Sequence, residues 1–262
     1  MKYIILIPIY NDRESLKLLI ENINQEIKDL NHEISIVVVN DASSQQIIDS
    51  YTNIENINSI EIINMKENRG HARCIASGLK YIFEKKEFDF VIPMDGDGED
   101  RPYEIKNFIE LSEQSEERSI IGERVKRSEG LFFKLCYQFH KFLTLAFTGQ
   151  SIRFGNFTCL SKTTIKKLLD EKATWNSFSG SLKKIEKVLI SMPSIRGKRY
   201  FGPSQMSFFN LLKHSLSIIS VFRKTVLIRS VLFIVFYILL IKSYASVITS
   251  LPLVFLLIMI YS

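Results

Sequence analysis

Hydrophobic residues in this chain fall into short massed runs and longer stretches with helical spacing, and most of the runs end in polar or acidic residues. Tyr3 to Ile9 is almost wholly apolar, the pattern of a strand buried on both faces. Pro8 stands near its end, where a missing N–H matters least. Asn11-Asp12-Arg13-Glu14 follows and predicts a helix start, with Asn11 as N-cap and Glu14 completing a variant of the capping box. Behind it Leu16, Leu19, Ile20, Ile23, Ile27 and Leu30 form an apolar stripe. A second buried strand is predicted over Ile34 to Val39, ending in Asn40-Asp41-Ala42-Ser43-Ser44, and a third over Ile60 to Ile63. Asn68-Arg69-Gly70-His71 then leads into a helix marked by Ala72, Ile75, Ala76, Leu79, Ile82 and Phe83. A fourth strand gathers Phe88, Phe90, Val91 and Ile92 and runs into Asp95-Gly96-Asp97-Gly98-Glu99-Asp100. The first half thus reads β-α-β-α-β-α-β, its second helix the faintest. This is an α/β fold with a mostly parallel central sheet.

The second half alternates less regularly. Ser119 to Val125 predicts a strand ending in Glu123 and Arg124, with Lys126 and Arg127 beyond. Leu131 to Phe147 is a helix rich in aromatic residues that suits either a bilayer surface or a packed core. A short strand is predicted over Gly155 to Leu160, a helix from Lys162 to Leu169, and another helix from Lys183 to Ile190. Ile195 to Tyr200 carries Arg196, Lys198 and Arg199 beside Gly202-Pro203-Ser204. Met206 to Phe222 has an apolar face of Phe208, Phe209, Leu212, Leu216, Ile219 and Phe222, fitting an interfacial helix or an ordinary surface helix. Val226 to Ile241 holds one charge, Arg229, and Tyr244 to Ser262 holds none, so the chain is expected to end in one or two membrane helices. Three regions follow: a domain over 1–205, an amphipathic juxtamembrane helix over 206–224 and a transmembrane region over 225–262.

Charge and cysteine usage narrow the classes. The 262 residues carry a net charge of +6, acidic around 84–117 and basic from Arg118 to Lys224. A basic half suits a diphosphate, a nucleic acid or an anionic membrane face. No arginine-rich arm or zinc-finger spacing is present, so no nucleic-acid partner is expected. Cys74, Cys136 and Cys159 are scattered without a CxxC and read as reduced, buried thiols. Lys213, Arg223, Lys224 and Arg229 cluster before or at the start of the apolar span and only Lys242 follows it, which places residues 1–224 on the cytoplasmic side.

The candidate chemistry sits where the strands end. Asp95 and Asp97 are paired hard-oxygen donors, suited to Mg²⁺ or Mn²⁺ when a substrate diphosphate supplies the other ligands. Alone, the turn also fits a solvated acidic loop. Neither GxGxxG after the first strand nor a Walker A motif occurs, which disfavours a dinucleotide enzyme and a P-loop NTPase.

Four segments in order resemble glycosyltransferase family 2, with its GT-A fold: IPIYND, VNDASS, NRGHARCIASGL and MDGDGEDRP. The resemblance covers about residues 3–205. Within the family, GERVKR, the aromatic helix, GNFTCLSK and RYFGPS followed by membrane helices look most like the polyprenyl-phosphate glycosyltransferases. The resemblance implies that Asp12 and Asp41 contact the base and ribose of a nucleotide sugar. It implies that Asp95 lies near the ribose and diphosphate, that Asp97 binds the metal, and that Arg124, Arg127, Arg199 and Ser204 contact phosphates of donor or lipid. Where the subgroup often has an acid, this chain has Asn156, a departure that matters less for an acceptor already ionised.

The implied enzyme is an inverting, metal-dependent, membrane-bound transferase. Its partners would be a UDP-, GDP- or dTDP-sugar donor and a polyprenyl-phosphate acceptor, with a homo-oligomer left open. A hydroxyl acceptor is the alternative, with Glu99 or Asp100 as the base. A non-catalytic membrane scaffold of the same fold is another.

Overall fold

In the computed structural model the chain describes residues 1–45, 54–115, 118–126, 131–202, 208–242 and 246–261. It divides into two compact units, Met1–Ser128 with Arg153–Gln205, and Glu129–Ile152 with Met206–Ser262.

The first unit is built on a seven-stranded sheet. Its strands are β1 (Lys2–Ile9), β2 (Glu33–Asn40), β3 (Ser59–Asn64), β4 (Phe90–Pro93), β5 (Ile120–Lys126), β6 (Phe154–Ser161) and β7 (Ile190–Ile195), in the spatial order β3-β2-β1-β4-β6-β5-β7. β1 pairs in parallel with β2 and with β4, and β2 with β3. β6 runs against β4 and β5, and β7 runs with β5. The carboxyl ends of six strands and the amino end of β6 therefore share one edge. The chain winds outward from β1 to β2 and β3, then returns to β4 on the other side. That reversal leaves a crevice beyond the strand ends between β1 and β4.

Both faces of the sheet are covered, which is why β1, β2 and β4 are such continuous apolar runs. Tyr3, Ile5, Ile7 and Ile9 join one core with Leu16, Leu19, Ile20 and Ile23 of α1 (Arg13–Glu26) and Ile105 and Phe108 of α3 (Glu104–Glu113). On the opposite face α2 (His71–Lys85) lies against the sheet, with α5 (Lys162–Asp170) and α6 (Phe178–Ile185) beside it. Gly78 sets how close α2 comes: a Cβ there would stand 2.3 Å from Leu6 Cδ1 and 2.9 Å from Val39 Cγ2.

Three local expectations change. Asn11 is not the N-cap of α1. It adopts a positive φ of 49°, and its Oδ1 accepts from the Ser44 backbone N–H at 2.8 Å. The short polar side chain has a stronger use tying the ends of β1 and β2 together. Lys183 to Ile190 is not one helix: α6 ends at Ile185 and β7 begins at Ile190. Met192 and Ser194 point inward while Ser191, Pro193 and Ile195 face out, a period of two on an edge strand that tolerates proline. α3, which the apolar spacing did not single out, starts two residues after Pro102. The faint helix expected between β2 and β3 lies largely outside the described residues.

The second unit comprises α4 (Leu131–Thr148), α7 (Phe208–Ser220), α8 (Arg223–Ile241) and α9 (Val247–Tyr261). Leu143, Phe147, Leu216, Ile219, Phe222 and Val226 pack together. Arg229 Nη1 donates to the carbonyls of Ala146 at 3.0 Å and Leu145 at 3.3 Å. A cation is favoured where a helix ends in unsatisfied carbonyls. Among the described residues, α8 is the one helix long and apolar enough to cross a membrane. Its 19 residues span about 28 Å.

Substituting Gly78→Ala is expected to destabilise the first unit by about 1–3 kcal/mol, because the added methyl overpacks a filled core. A lower urea midpoint for the full chain checks this; an unchanged midpoint would mean α2 can retreat from the sheet without loss.

Candidate functional site

Six of the eight residues singled out as site candidates lie at the shared sheet edge. Asp12 follows β1, Asp41 follows β2, Asp95 and Asp97 follow β4, Arg124 lies near the end of β5, and Arg199 lies in the segment after β7. Arg127 and Ser204 fall outside the described residues.

The loop after β4 is held in shape by its own backbone and acids. Gly98 has φ +83°, and the Tyr200 ring lies against it, so a Cβ would stand 2.5 Å from that ring. The Asp97 carbonyl accepts from the Tyr200 N–H at 3.0 Å, and the Glu99 carbonyl accepts from the Gly197 N–H at 2.7 Å. Tyr200 is anchored on its far side by Asn22 of α1, whose amide donates to the phenol oxygen at 2.9 Å. Asp100 is 5% exposed, and its Oδ2 accepts from the Asp95 N–H at 2.9 Å. The strap after β7 and the acidic loop thus form one interlocked piece.

Two arginines from that strap partner the acids. Arg199 donates through Nη1 to Asp97 Oδ2 and through Nη2 to Asp12 Oδ2, each at 2.8 Å. It therefore bridges the ends of β1 and β4. Arg196 donates to Glu99 through Nε at 2.7 Å and through Nη2, and Nη2 lies 3.8 Å from Asp95 Oδ2. The charges are not fully offset. Burial and the neighbouring Asp95 charge push the Asp97 carboxyl above its ordinary range, and the same causes push Asp100 up to about 7. Asp95 goes the other way. Burial opposes its ionisation, but the His71 hydrogen bond and the charges of His71, Arg196 and Arg124 hold it well below the usual carboxylate range.

Asp41 is committed to the backbone. At 4% exposure its Oδ1 accepts from Arg69 N–H at 2.7 Å and its Oδ2 from Gly70 N–H at 2.8 Å. It fixes the turn into α2, where Gly70 takes φ +87°. That turn delivers His71 to the site, with Nε2 3.3 Å from Asp95 Oδ1. Asn156 Nδ2 donates to the same oxygen at 3.2 Å.

Sequence reasoning did not give Arg196, Tyr200 or His71 a place in this cluster. Arg196 had a signal, its spacing of three from Arg199 in a segment already read as phosphate-binding. His71 had only its position behind Gly70.

Among the described residues no group of three His, Cys, Asp or Glu side chains is arranged to hold a metal ion unaided. Asp95 and Asp97 are nevertheless hard-oxygen donors on one short loop crowded with negative charge. They fit a divalent cation whose remaining ligands come from a bound diphosphate.

The model of glycosyl transferase family 2 matches residues 4–169. An undecaprenyl-phosphate 4-deoxy-4-formamido-L-arabinose transferase of Proteus mirabilis is 26% identical over 226 residues, covering 80% of this chain and 64% of that protein. The chain thus spans just under two-thirds of that relative's length. Among solved structures, glucosyl-3-phosphoglycerate synthase from Mycobacterium tuberculosis, in complex with Mn²⁺, UDP-glucose and phosphoglyceric acid, has a TM-score of 0.61 at 12% identity, covering 86% of this chain and 79% of that one. S. aureus TarS 1–349 with UDP-GlcNAc has a TM-score of 0.55 at 14% identity, covering 88% and 70%. At such identities the likeness is one of fold, and it bears out the expected GT-A architecture.

Replacing Asp41 with Asn leaves one backbone N–H facing an amide that cannot accept. The expected cost is about 2–3 kcal/mol of stability, since a buried donor loses a charged partner. Denaturant unfolding of the full chain measures it, and a loss below the measurement error would remove the clamp from the account.

Proposed function

Because this chain belongs to glycosyl transferase family 2, we propose that it moves a sugar from a nucleotide-diphosphate donor to the phosphate of a membrane polyprenyl lipid, with inversion at the anomeric carbon. The observation that carries this reading is the convergence of Asp12, Asp95, Asp97, Arg196 and Arg199 on the crevice where the strand order reverses. That crevice is where open α/β sheets bind their ligands.

Asp12 and Asp41 stand on the β1–β2 side, where the nucleoside of a UDP-, GDP- or dTDP-sugar would lie. Asp95 and Asp97 would hold Mg²⁺ or Mn²⁺ against the diphosphate. Bound there, the ion neutralises charge that builds on the leaving group. Arg199 and Arg196 offer planar donor forks, which suit phosphate oxygens as well as the carboxylates they now hold. An acceptor phosphate oxygen forms the new bond to the anomeric carbon. The bond to the diphosphate oxygen breaks, and its electron pair leaves with the nucleotide. The protein's share is alignment and charge placement.

Three features support a lipid phosphate over a hydroxyl acceptor. The Proteus mirabilis relative is named for undecaprenyl phosphate. α8 supplies a helix of membrane-spanning length. Glu99, one base a hydroxyl would need, is held by Arg196, and Asp100, the other, holds the Asp95 amide. With α8 in the bilayer, the positive residues at its start support a cytoplasmic side for residues 1–224, where a role in cell-envelope glycan synthesis would draw on nucleotide sugars.

The test is a transfer assay on membranes containing the chain, with undecaprenyl phosphate, Mn²⁺ and a panel of labelled UDP-, GDP- and dTDP-sugars. Label is expected in the organic phase, falling by about a hundredfold or more with Asp97→Ala, the scale on which a lost electrostatic group slows such sites. Label on water-soluble glycan instead would sink the lipid acceptor.

A further inference from the structure

Arg199 differs from the other strap arginine in what it holds. Its Nη1 donates to Asp97 Oδ2 and its Nη2 to Asp12 Oδ2, each at 2.8 Å. One planar guanidinium thus joins an acid after β1 to an acid after β4, and all three side chains are less than a fifth exposed. Arg196 instead donates through Nε and Nη2 to Glu99 and stands 3.8 Å from Asp95. Among the described residues, Arg199 is the cation paired with Asp97.

Both oxygens of Asp97 already accept a hydrogen bond: Oδ1 from the Glu99 N–H at 3.0 Å and Oδ2 from Arg199. A divalent ion on Asp97 would need a lone pair of the same carboxylate and would bring two positive charges to it. A guanidinium held there opposes the ion, because like charges at close range in a partly buried site repel strongly. The backbone need not move for Arg199 to let go. The strap is tied to the acidic loop by the Gly197 and Tyr200 N–H groups and to α1 by the Tyr200 phenol, and none of these contacts uses the Arg199 side chain. Release is a change of rotamer, not a movement of the strap.

We propose that Arg199 is the built-in counter-cation of this site and must leave Asp97 for a divalent ion to bind there. The inference rests on the reading of Asp97 as a cation ligand and deepens it by naming a competitor for the same carboxylate. Until the ion arrives, Arg199 keeps the sheet edge from holding buried, unpaired charge. It also opposes a bare cation. Tight binding then calls for a diphosphate, whose oxygens complete the ion's coordination and give the released guanidinium new acceptors.

Two measurements on the full chain in detergent micelles test this. The first is calorimetric titration with Mn²⁺ alone. Arg199→Gln, which keeps amide donors but removes the charge, should bind Mn²⁺ at least about tenfold more tightly than the wild type, the scale on which one nearby charge moves a partly buried ion site. Adding Asp97→Ala to Arg199→Gln should remove the gain. The second measurement needs no variant. Arginines are labelled with a dicarbonyl reagent and read peptide by peptide by mass spectrometry. Arg199, held by two carboxylates, should label slowly, and Mn²⁺ should speed its labelling while leaving that of the exposed Arg13 unchanged.

No gain in Arg199→Gln overturns the inference and leaves the cation reading standing. Mn²⁺ binding that leaves the Arg199 labelling rate unchanged does the same, because ion and arginine then share the carboxylate. A gain that survives the added Asp97→Ala sinks the cation reading and the inference together. Should Arg199→Gln fail to fold, the labelling of the wild type decides alone.

Discussion

Carboxylates crowded at one edge of a buried sheet repel one another, and the form of this site follows from how that repulsion is offset. The ends of β1 and β4 bring Asp12, Asp95, Asp97, Glu99 and Asp100 together. The strap after β7 answers with Arg196 and Arg199, each bound to acids of that edge. Without those pairs the edge would hold buried, uncompensated charge, which is far more costly than a surface ion pair is helpful. Tyr200 against Gly98 and the Gly197–Glu99 backbone bond keep the strap in register with the loop. The balance remains incomplete, because Asp97 and Asp100 are still pushed toward their neutral forms. A site in that condition favours an added cation, and a cation shared with a diphosphate is the chemistry proposed for it.

The sheet was legible in the sequence because its parallel strands are buried on both faces. Continuous apolar runs such as Tyr3 to Ile9 and Ile34 to Val39 have few other readings. The acids at the strand ends were legible for the same reason: polarity begins where the strand leaves the core. What could not be read was side-chain partnership. Asn11 looks like a cap by position, yet its carbonyl oxygen goes to Ser44, across to the next strand end. Asp41 looks like a ligand-binding acid, yet both its oxygens take backbone N–H groups. β7 was missed, apart from Ile190 at the end of an expected helix, because a short edge strand with Pro193 outward lacks the massed apolar signal of a central strand. The pairing of Arg199 with Asp12 spans 187 positions, and no local pattern carries such a contact.

The second unit follows a different rule. α8 leaves Leu232, Phe236, Leu239 and Leu240 largely exposed, a surface that water does not favour and a bilayer does. Arg229, the one charge it carries beyond its first turn, is met by the carbonyls at the end of α4. Tyr237 similarly turns its hydroxyl to the Thr249 carbonyl of α9 at 2.6 Å. Neighbouring helices satisfy these two polar groups, as a medium without water would require. A membrane-spanning α8 would suit the acceptor proposed above, whose tail lies in lipid.

In the proposed chemistry the acidic edge completes its cation site with oxygens from a nucleoside diphosphate. Titration of the full chain with Mn²⁺, alone and with saturating UDP or GDP, tests it most directly. Mn²⁺ is expected to bind weakly alone and at least about tenfold more tightly with the preferred nucleotide, a coupling of roughly 1.4 kcal/mol. Mn²⁺ affinity unchanged by either nucleotide would contradict it.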